Sequence, residues 1–316
     1  MKILDSYFES CSVILLDIET TGLFPERDKV VIVGLLPLSG DADGILQFFA
    51  ESAENEKDLL LRLVPHLEDC DVIVSFNGNS FDIPFLNRRL ARNEIGYQIP
   101  LWKNFDLYRV IRQAGFTGIL PDLKQTTVER YLGIEGSRQD SITGRESARL
   151  YREYEKNGDP RLKEVMLLHN HDDVLQLQKL MAILKNVDLH RAMFLNGFNI
   201  VSRNGKINIQ SISVGRGDIS VKGSYSGPFG DYVRFGGCYD ARLSAKDGSV
   251  AISIPLRHEH GHCYIDLGDF DIDPGEFTKY PNCRSGYLIV SSSGENHHAE
   301  INHLIKRICR EILESF

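Results

Sequence analysis

The order of apolar and polar positions gives the chain two textures. Over about the first 185 residues, short apolar runs alternate with longer stretches whose apolar positions recur every three or four residues. "SVILLDIE" and "KVVIVGLLPL" read as buried strands and "GILQFFA" as a third, joined closely enough for an antiparallel meander. "DVIVSF" is a further strand. "NEKDLLLRLVPHLEDC" reads as a helix that Pro65 is expected to kink or end early. "IPFLNRRLARNE", "NFDLYRVIRQ", "DLKQTTVERYLG", "GRESARLYREYEKNGD" and "PRLKEVMLLHNHDDVLQLQKLMAILKN" also read as helices. Strands interleaved with helices predict an α/β layer with a mixed sheet.

Beyond about residue 190 the pattern shortens to alternation. "FNIVSRNGKINIQSISVGRGDISVKGSY" turns at Asn204-Gly205 and "ARLSAKDGSVAISIPL" at Asp247-Gly248, the strongest short hairpin signals. "HCYIDLGDFDI" and "SGYLIVSSSG" add strands, and "HAEINHLIKRICREILESF" closes the chain as an amphipathic helix. The expected division is residues 1–187 as the α/β domain and 188–316 as a smaller, mainly antiparallel β domain with a C-terminal helix.

Composition narrows the class. A chain of 316 residues, 42% hydrophobic, can bury two cores, yet its apolar runs fall short of the roughly 18 residues of a membrane span. "MKILDSYFES" lacks the apolar core of a signal peptide, so a cytoplasmic location is expected. Six cysteines without a C-x-x-C pair point to reduced, mostly buried thiols. The net charge of −8 is unevenly spread: residues 1–85 carry 5 Lys/Arg against 16 Asp/Glu, and residues 86–163 carry 15 against 10. An acidic segment followed by a basic one suits a metal site beside a groove for a polyanion.

Three stretches carry candidate chemistry. In "SVILLDIETTGLFP", Asp17 and Glu19 are two apart on a strand and therefore share a face, where two carboxylates repel unless a cation or proton intervenes. In "DVIVSFNGNSFDIPFLNRRL", Asp82 stands just before a helix, where an ordinary N-terminal capping role competes with a functional one. In "EVMLLHNHDDVLQL", His169 and Asp173 are four apart on one helix face, with His171 and Asp172 pointing elsewhere.

"DIETTGL", "FNGNSFDIPFL" and "HNHDDV", in this order, resemble the three motifs of the DEDD exonucleases of the ribonuclease-H-like superfamily, and "FDLYRV", "TVERYLGI", "SRQDSITG" and "LYREYEKNGD" resemble its bacterial YprB-like branch over about residues 10–185. The resemblance implies a metal-dependent 3′→5′ exonuclease acting on single-stranded DNA or RNA. It implies a ribonuclease-H-like mixed sheet flanked by helices, and Asp17, Glu19, Asp82 and Asp173 as ligands of two divalent ions, Mg²⁺ or Mn²⁺. Such hard cations take carboxylate oxygens, and a pair of them activates water and stabilises a leaving oxygen. His169 would serve the attacking water. It occupies the spacing at which a tyrosine stands in one branch, while the histidine-type enzymes place theirs five before the last Asp, leaving base and water-orienting roles both open. Asp172 is a substitute ligand for Asp173. By the same resemblance the substrate 3′ end packs beside the first motif, making Thr20, Gly22 and Leu23 candidates, with Asn77 orienting the second motif's loop.

In "ITGRESARLYREYEK", Thr143 and Glu146 form a capping-box signature, and Arg145, Arg149, Arg152 and Lys156 follow one helix face. That stripe is either a row of phosphate contacts or a solvated face. Arg88, Arg89 and Arg92 form a second candidate. In "RHEHGHCYIDL", read as one strand, His258, His260 and His262 share a face with Cys263 opposite; zinc competes with a plain polar face, and no second ligand pair accompanies them. A non-catalytic nucleic-acid-binding protein is the alternative function, and a small-molecule phosphohydrolase a third that needs no basic stripe.

Overall fold

The structure, a computed structural model, describes residues 6–8, 10–38, 44–134, 136, 138, 139, 142–228, 230–270 and 272–316. Ser137, Asp140 and Ser141 of "SRQDSITG" lie outside the described residues. The chain divides into two compact units, one of residues 11–187 and one of residues 188–316 together with 1–10. The N-terminal segment thus departs from a simple cut at 187. Tyr7 packs edge-on against Phe198 and accepts a hydrogen bond from Asn302 at 2.8 Å, and Lys306 donates to Ser6 O at 2.6 Å.

The unit of residues 11–187 is built on a five-stranded mixed sheet in the order β3-β2-β1-β4-β5. Strands β1 (Val13–Thr20), β2 (Val30–Pro37) and β3 (Leu46–Phe49) form the antiparallel meander, while β4 (Val72–Ser75) and β5 (Asn104–Asp106) run parallel to β1. β2 is buried on both faces, which explains its continuous apolar run. One face of the sheet, through Leu16, Ile18, Val33 and Leu35, packs on α1 (Glu56–Asp69) and α2 (Asp82–Arg92). On the other side, Val31 and Ile32 meet Tyr151 of α5 (Gly144–Asn157) and Met166 of α6 (Pro160–Leu180). Two short helices, α3 (Leu107–Gln113) and α4 (Gln125–Leu132), complete the unit.

Two local expectations change. α1 runs through Pro65 to Asp69, because Pro65 is on the exposed side while Leu59, Leu60, Leu63 and Leu67 hold the buried stripe past it. "NFDLYRVIRQ" is not one helix: Asn104–Asp106 pair with β4, and Asp106 then caps α3 by accepting from Tyr108 N.

In the second unit, α7 (Leu189–Asn196), in a stretch that the pattern assigns to no element, precedes a six-stranded antiparallel sheet, β6-β7-β8-β11-β10-β9. Its strands are β6 (Phe198–Ser202), β7 (Gly205–Val214), β8 (Asp218–Ser226), β9 (Tyr232–Arg234), β10 (Asp240–Leu243) and β11 (Ser249–Pro255). A second sheet joins β12 (Arg257–Glu259), β13 (His262–Asp266), β14 (Cys283–Arg284), β15 (Tyr287–Ser292) and β16 (Glu295–Asn296). The last helix, α8 (His298–Glu314), buries Ile301, Leu304, Ile305, Ile308 and Ile312. The six cysteines are free thiols, three of them buried. Among the described residues, no helix is long and apolar enough to cross a membrane.

"RHEHGHCYIDL" is a hairpin, not one strand. It turns at His260-Gly261, both at positive φ, so His258 and Cys263 become cross-strand partners with Nδ1 and Sγ 3.3 Å apart. His262 Nδ1 is instead 2.9 Å from Ser292 Oγ, and exposed His260 sits at the turn. The three histidines do not share a face.

Candidate metal centre

β1 carries the first half of the site. Leu16 and Ile18 point into the core with α1 and α2, so Asp17 and Glu19, alternating with them, face α5 and α6. The register between β1 and β4 covers Val13 to Leu15 only. Beyond it the chain after β4 turns toward β1, and the carboxylate of Asp82, first residue of α2, accepts the backbone N–H of Ile18 as well as its own. Asp82 is thus an acidic first-turn residue of α2 rather than its N-cap, which is Phe81, and its carboxylate also bonds β1.

α6 supplies the other half. His169 Nε2 lies 3.4 Å from Glu19 Oε1 and 3.5 Å from Asp173 Oδ2. Among the described residues, Glu19, His169 and Asp173 form the cluster whose ligand atoms all fall within 4.8 Å of one another. Asp17 and Asp82 join it through their charges. Burial, followed by the charges of Asp173, Asp82 and Glu19, holds the Asp17 carboxyl well above its usual range, against one hydrogen bond from Asn170. Burial raises Glu19 from 4.5 to about 7, with His169 and Ser147 opposing and Asp173 reinforcing. Burial likewise raises Asp82 from 3.8 to about 7, with Asp106 and Asp173 adding repulsion. The site is an accumulation of carboxyl groups that water no longer solvates, an environment that protons or a cation would relieve.

The grouped donors, one carboxylate each from Glu19 of β1 and Asp173 of α6 with the His169 imidazole, suit a divalent cation, while Asp17 and Asp82 lie outside that grouping. Asp172 does not fit the set. It is buried, and its carboxylate accepts the backbone N–H of Gln139 and faces His171 Nδ1 at 3.6 Å.

Sequence reasoning missed several residues that hold this geometry. Asn170, fully buried, donates to Asp17 Oδ2 at 3.0 Å, and its Oδ1 accepts from Gln47 Nε2 at 2.9 Å. Gly34, opposite Asp17 in the β1–β2 register, makes room for it: a Cβ there would stand 2.5 Å from Asn170 Oδ1. A glycine inside an apolar strand was the available signal. Ser147 of α5 hydrogen-bonds Glu19. Asp106 accepts the N–H groups of Asn77 at 2.8 Å and Asn79 at 3.1 Å, so it orients the second motif's loop, with Asn77 held at φ 66°.

The remaining candidates fall into two groups. Thr20 spends its hydroxyl on Gly22 O at 2.7 Å, and Gly22 sits against the Asp28 carboxylate, where a Cβ would come within 2.4 Å. This tight loop presents Leu23, 73% exposed, beside the acidic cluster's strand. On α5 the expected capping box is present, Ser147 and Tyr151 face inward, and Arg145 and Arg149 are exposed. Arg152 donates to Thr21 O at 2.7 Å. The second basic candidate is corrected at Arg89, which is buried and forks onto Glu56 at 2.8 and 2.6 Å, while Arg88 and Arg92 stay half-exposed beside Glu26 at 2.6 and 3.6 Å.

The model of the RNase_H superfamily matches residues 14–185. A DNA polymerase III PolC-type of Ureaplasma parvum is 26% identical over 115 residues, which cover 29% of this chain and 8% of the polymerase. A DNA polymerase of Methanocaldococcus jannaschii is 32% identical over 69 residues, 21% of this chain and 4% of its own length. An uncharacterized protein of the same organism is 29% identical over 179 residues, 55% of this chain and 96% of its own. The chain therefore spans less than a tenth of either polymerase. Among solved structures, the family B DNA polymerase from Pyrobaculum calidifontis superposes with a TM-score of 0.46 at 20% identity, covering 59% of this chain and 26% of that one.

Proposed function

Because the chain belongs to the RNase_H superfamily, we propose that it is a nuclease of the DEDD type on the YprB-like branch, removing nucleotides from the 3′ end of single-stranded DNA or RNA. The observation that carries this reading is the convergence of Glu19, His169 and Asp173, with Asp17 and Asp82 raised first by burial and then by neighbouring carboxylates, Asp173 among them. A protein that only bound nucleic acid would gain nothing from buried carboxylates that repel phosphate.

Asp17, Glu19, Asp82 and Asp173 would hold two divalent cations, Mg²⁺ or Mn²⁺. Such a pair, when bound, lowers the pKa of water and stabilises the departing oxygen. The chain's own residues do the rest. The rigid strand and the Asn170 hydrogen bond fix Asp17, and Ser147 fixes Glu19. His169, with Nε2 turned into the acidic cluster, takes the proton of the attacking water. Leu23 lies against the terminal base, and Arg145 and Arg149 meet phosphates further along the strand.

The test is a 5′-labelled single strand, DNA and RNA in parallel, incubated with the purified chain and Mn²⁺ or EDTA. Stepwise shortening from the 3′ end with Mn²⁺ alone, lost in Asp17→Asn, is expected. Binding without shortening would leave a non-catalytic binder on the same fold. His169→Ala is expected to slow cleavage by ~10²–10⁴ while leaving Mn²⁺ binding largely intact. An equal loss of Mn²⁺ affinity would make His169 a ligand instead.

A further inference from the structure

We infer that Arg138 is a positioning residue for the acidic site, holding the Asp173 carboxylate so that one oxygen stays turned toward Glu19 and His169. The inference rests on the reading of Asp173 as a cation ligand. Arg138 stands between α4 and α5. Its guanidinium forks onto Glu129 of α4, Nε to Oε2 at 3.0 Å and Nη2 to Oε1 at 2.7 Å, the planar two-bond geometry that fixes both partners. Glu129 is 1% exposed and is itself steadied by Gln125 Nε2 at 3.1 Å. The remaining arm, Nη1, donates to Asp173 Oδ1. The oxygen left over, Oδ2, is the one 3.5 Å from His169 Nε2. The next residue, Gln139, donates its N–H to Asp172, so two consecutive residues of this strap hold two consecutive carboxylates of α6.

A guanidinium beside an acidic centre has two physical meanings. It is a counter-ion that an incoming metal must displace, or it is a fixed strut. The Glu129 pair decides for the strut. The positive charge is already matched by a buried carboxylate through two hydrogen bonds, and pulling Arg138 away would leave that carboxylate unpaired. What Asp173 receives is mainly direction. Partners of this kind behind a metal ligand are worth about 10–100-fold in affinity.

The test is the dissociation constant for Mn²⁺ alone, measured on the full chain from the magnetic resonance signal of the free ion. Arg138→Met and Glu129→Gln are each expected to weaken binding by about 10–100-fold, with Arg138→Lys between them and wild type. Glu129→Gln preserves shape, so a folding defect in Arg138→Met does not carry the result. In an Asp173→Asn background, Arg138→Met should weaken binding no further, because the effect passes through that carboxylate. Unchanged or tighter binding in Arg138→Met and Glu129→Gln, with Asp173→Asn still impaired, overturns the inference and leaves the site reading standing. So does a loss of equal size in both backgrounds. A wild-type chain that takes up no Mn²⁺, or an Asp173→Asn chain that takes it up normally, overturns the site reading and the inference with it.

Discussion

Two groups of buried carboxylates serve the same sheet and are built on opposite plans. On the side of α1 and α2, Glu56 is enclosed with its answer: Arg89 forks onto both oxygens, Val30 N–H and Asn93 Nδ2 add bonds at 2.8 and 3.1 Å, and Arg89 also reaches Pro25 O at 2.9 Å. On the side of α5 and α6, Asp17, Glu19 and Asp82 are enclosed with each other's charge and with Asp173. The first arrangement answers its charge within the chain, and the second, despite His169 and Arg138, gathers charge of one sign. Burial of charge by itself therefore says little about function, and the partners assigned to that charge say a great deal.

The largest expected effect breaks the complete group. Arg89→Met strands Glu56 and should destabilise the chain by ~3–5 kcal/mol in urea unfolding. Asp17→Asn, on the other side, should leave stability unchanged or higher while abolishing cleavage. Equal destabilisation by both would erase the contrast. The next effect is one of pH. Glu19 moves from 4.5 to about 7 and Asp82 from 3.8 to about 7, so from about pH 4 to 7 the unfolded chain ionises first while the folded one keeps its protons. Stability contributed by these groups is fully present below the unfolded values and lost as pH rises through 7. In EDTA, melting at pH 8 should fall below that at pH 5 by more in wild type than in Glu19→Gln, and Mn²⁺ should close the gap. Matching pH dependence in the two proteins would show that the carboxyls do not crowd one another. The smallest effect is at the surface. Replacing Arg145 and Arg149 by Ala should raise KM for long substrates and flatten the salt slope by about 1.4, for two single-strand phosphates at about 0.7 each. An unchanged slope would assign that face to solvent.

Local signals were readable in the sequence and distant pairings were not. β1 and β2 announce themselves because the residues that bury them are contiguous, and the acidic pair on β1 follows from alternation alone. Hairpins stand where the Asn204-Gly205 and Asp247-Gly248 signals point, although the first turn is Arg203-Asn204 with Gly205 already in β7, and the second is a longer loop over 245–248 with Gly248 at φ 67°. β5 has three residues and exists because β4 lies beside it, a parallel pairing that leaves no periodic trace. Arg89 was grouped with Arg88 and Arg92 by adjacency, although it falls four after Phe85 and three after Leu86, on their buried side. Asn170 was hidden between the two histidines of "HNHDDV", and Arg138 reaches Asp173 across 35 positions of chain.

Gly34 has one more consequence. Where strand and helix meet at Asn170, their separation is smaller than a methyl group would permit, so the dimensions of the acidic chamber are set partly by a side chain that is not there. Alanine at that position would act as a wedge, prising Asn170 off Asp17 and widening the chamber without touching any of its charges.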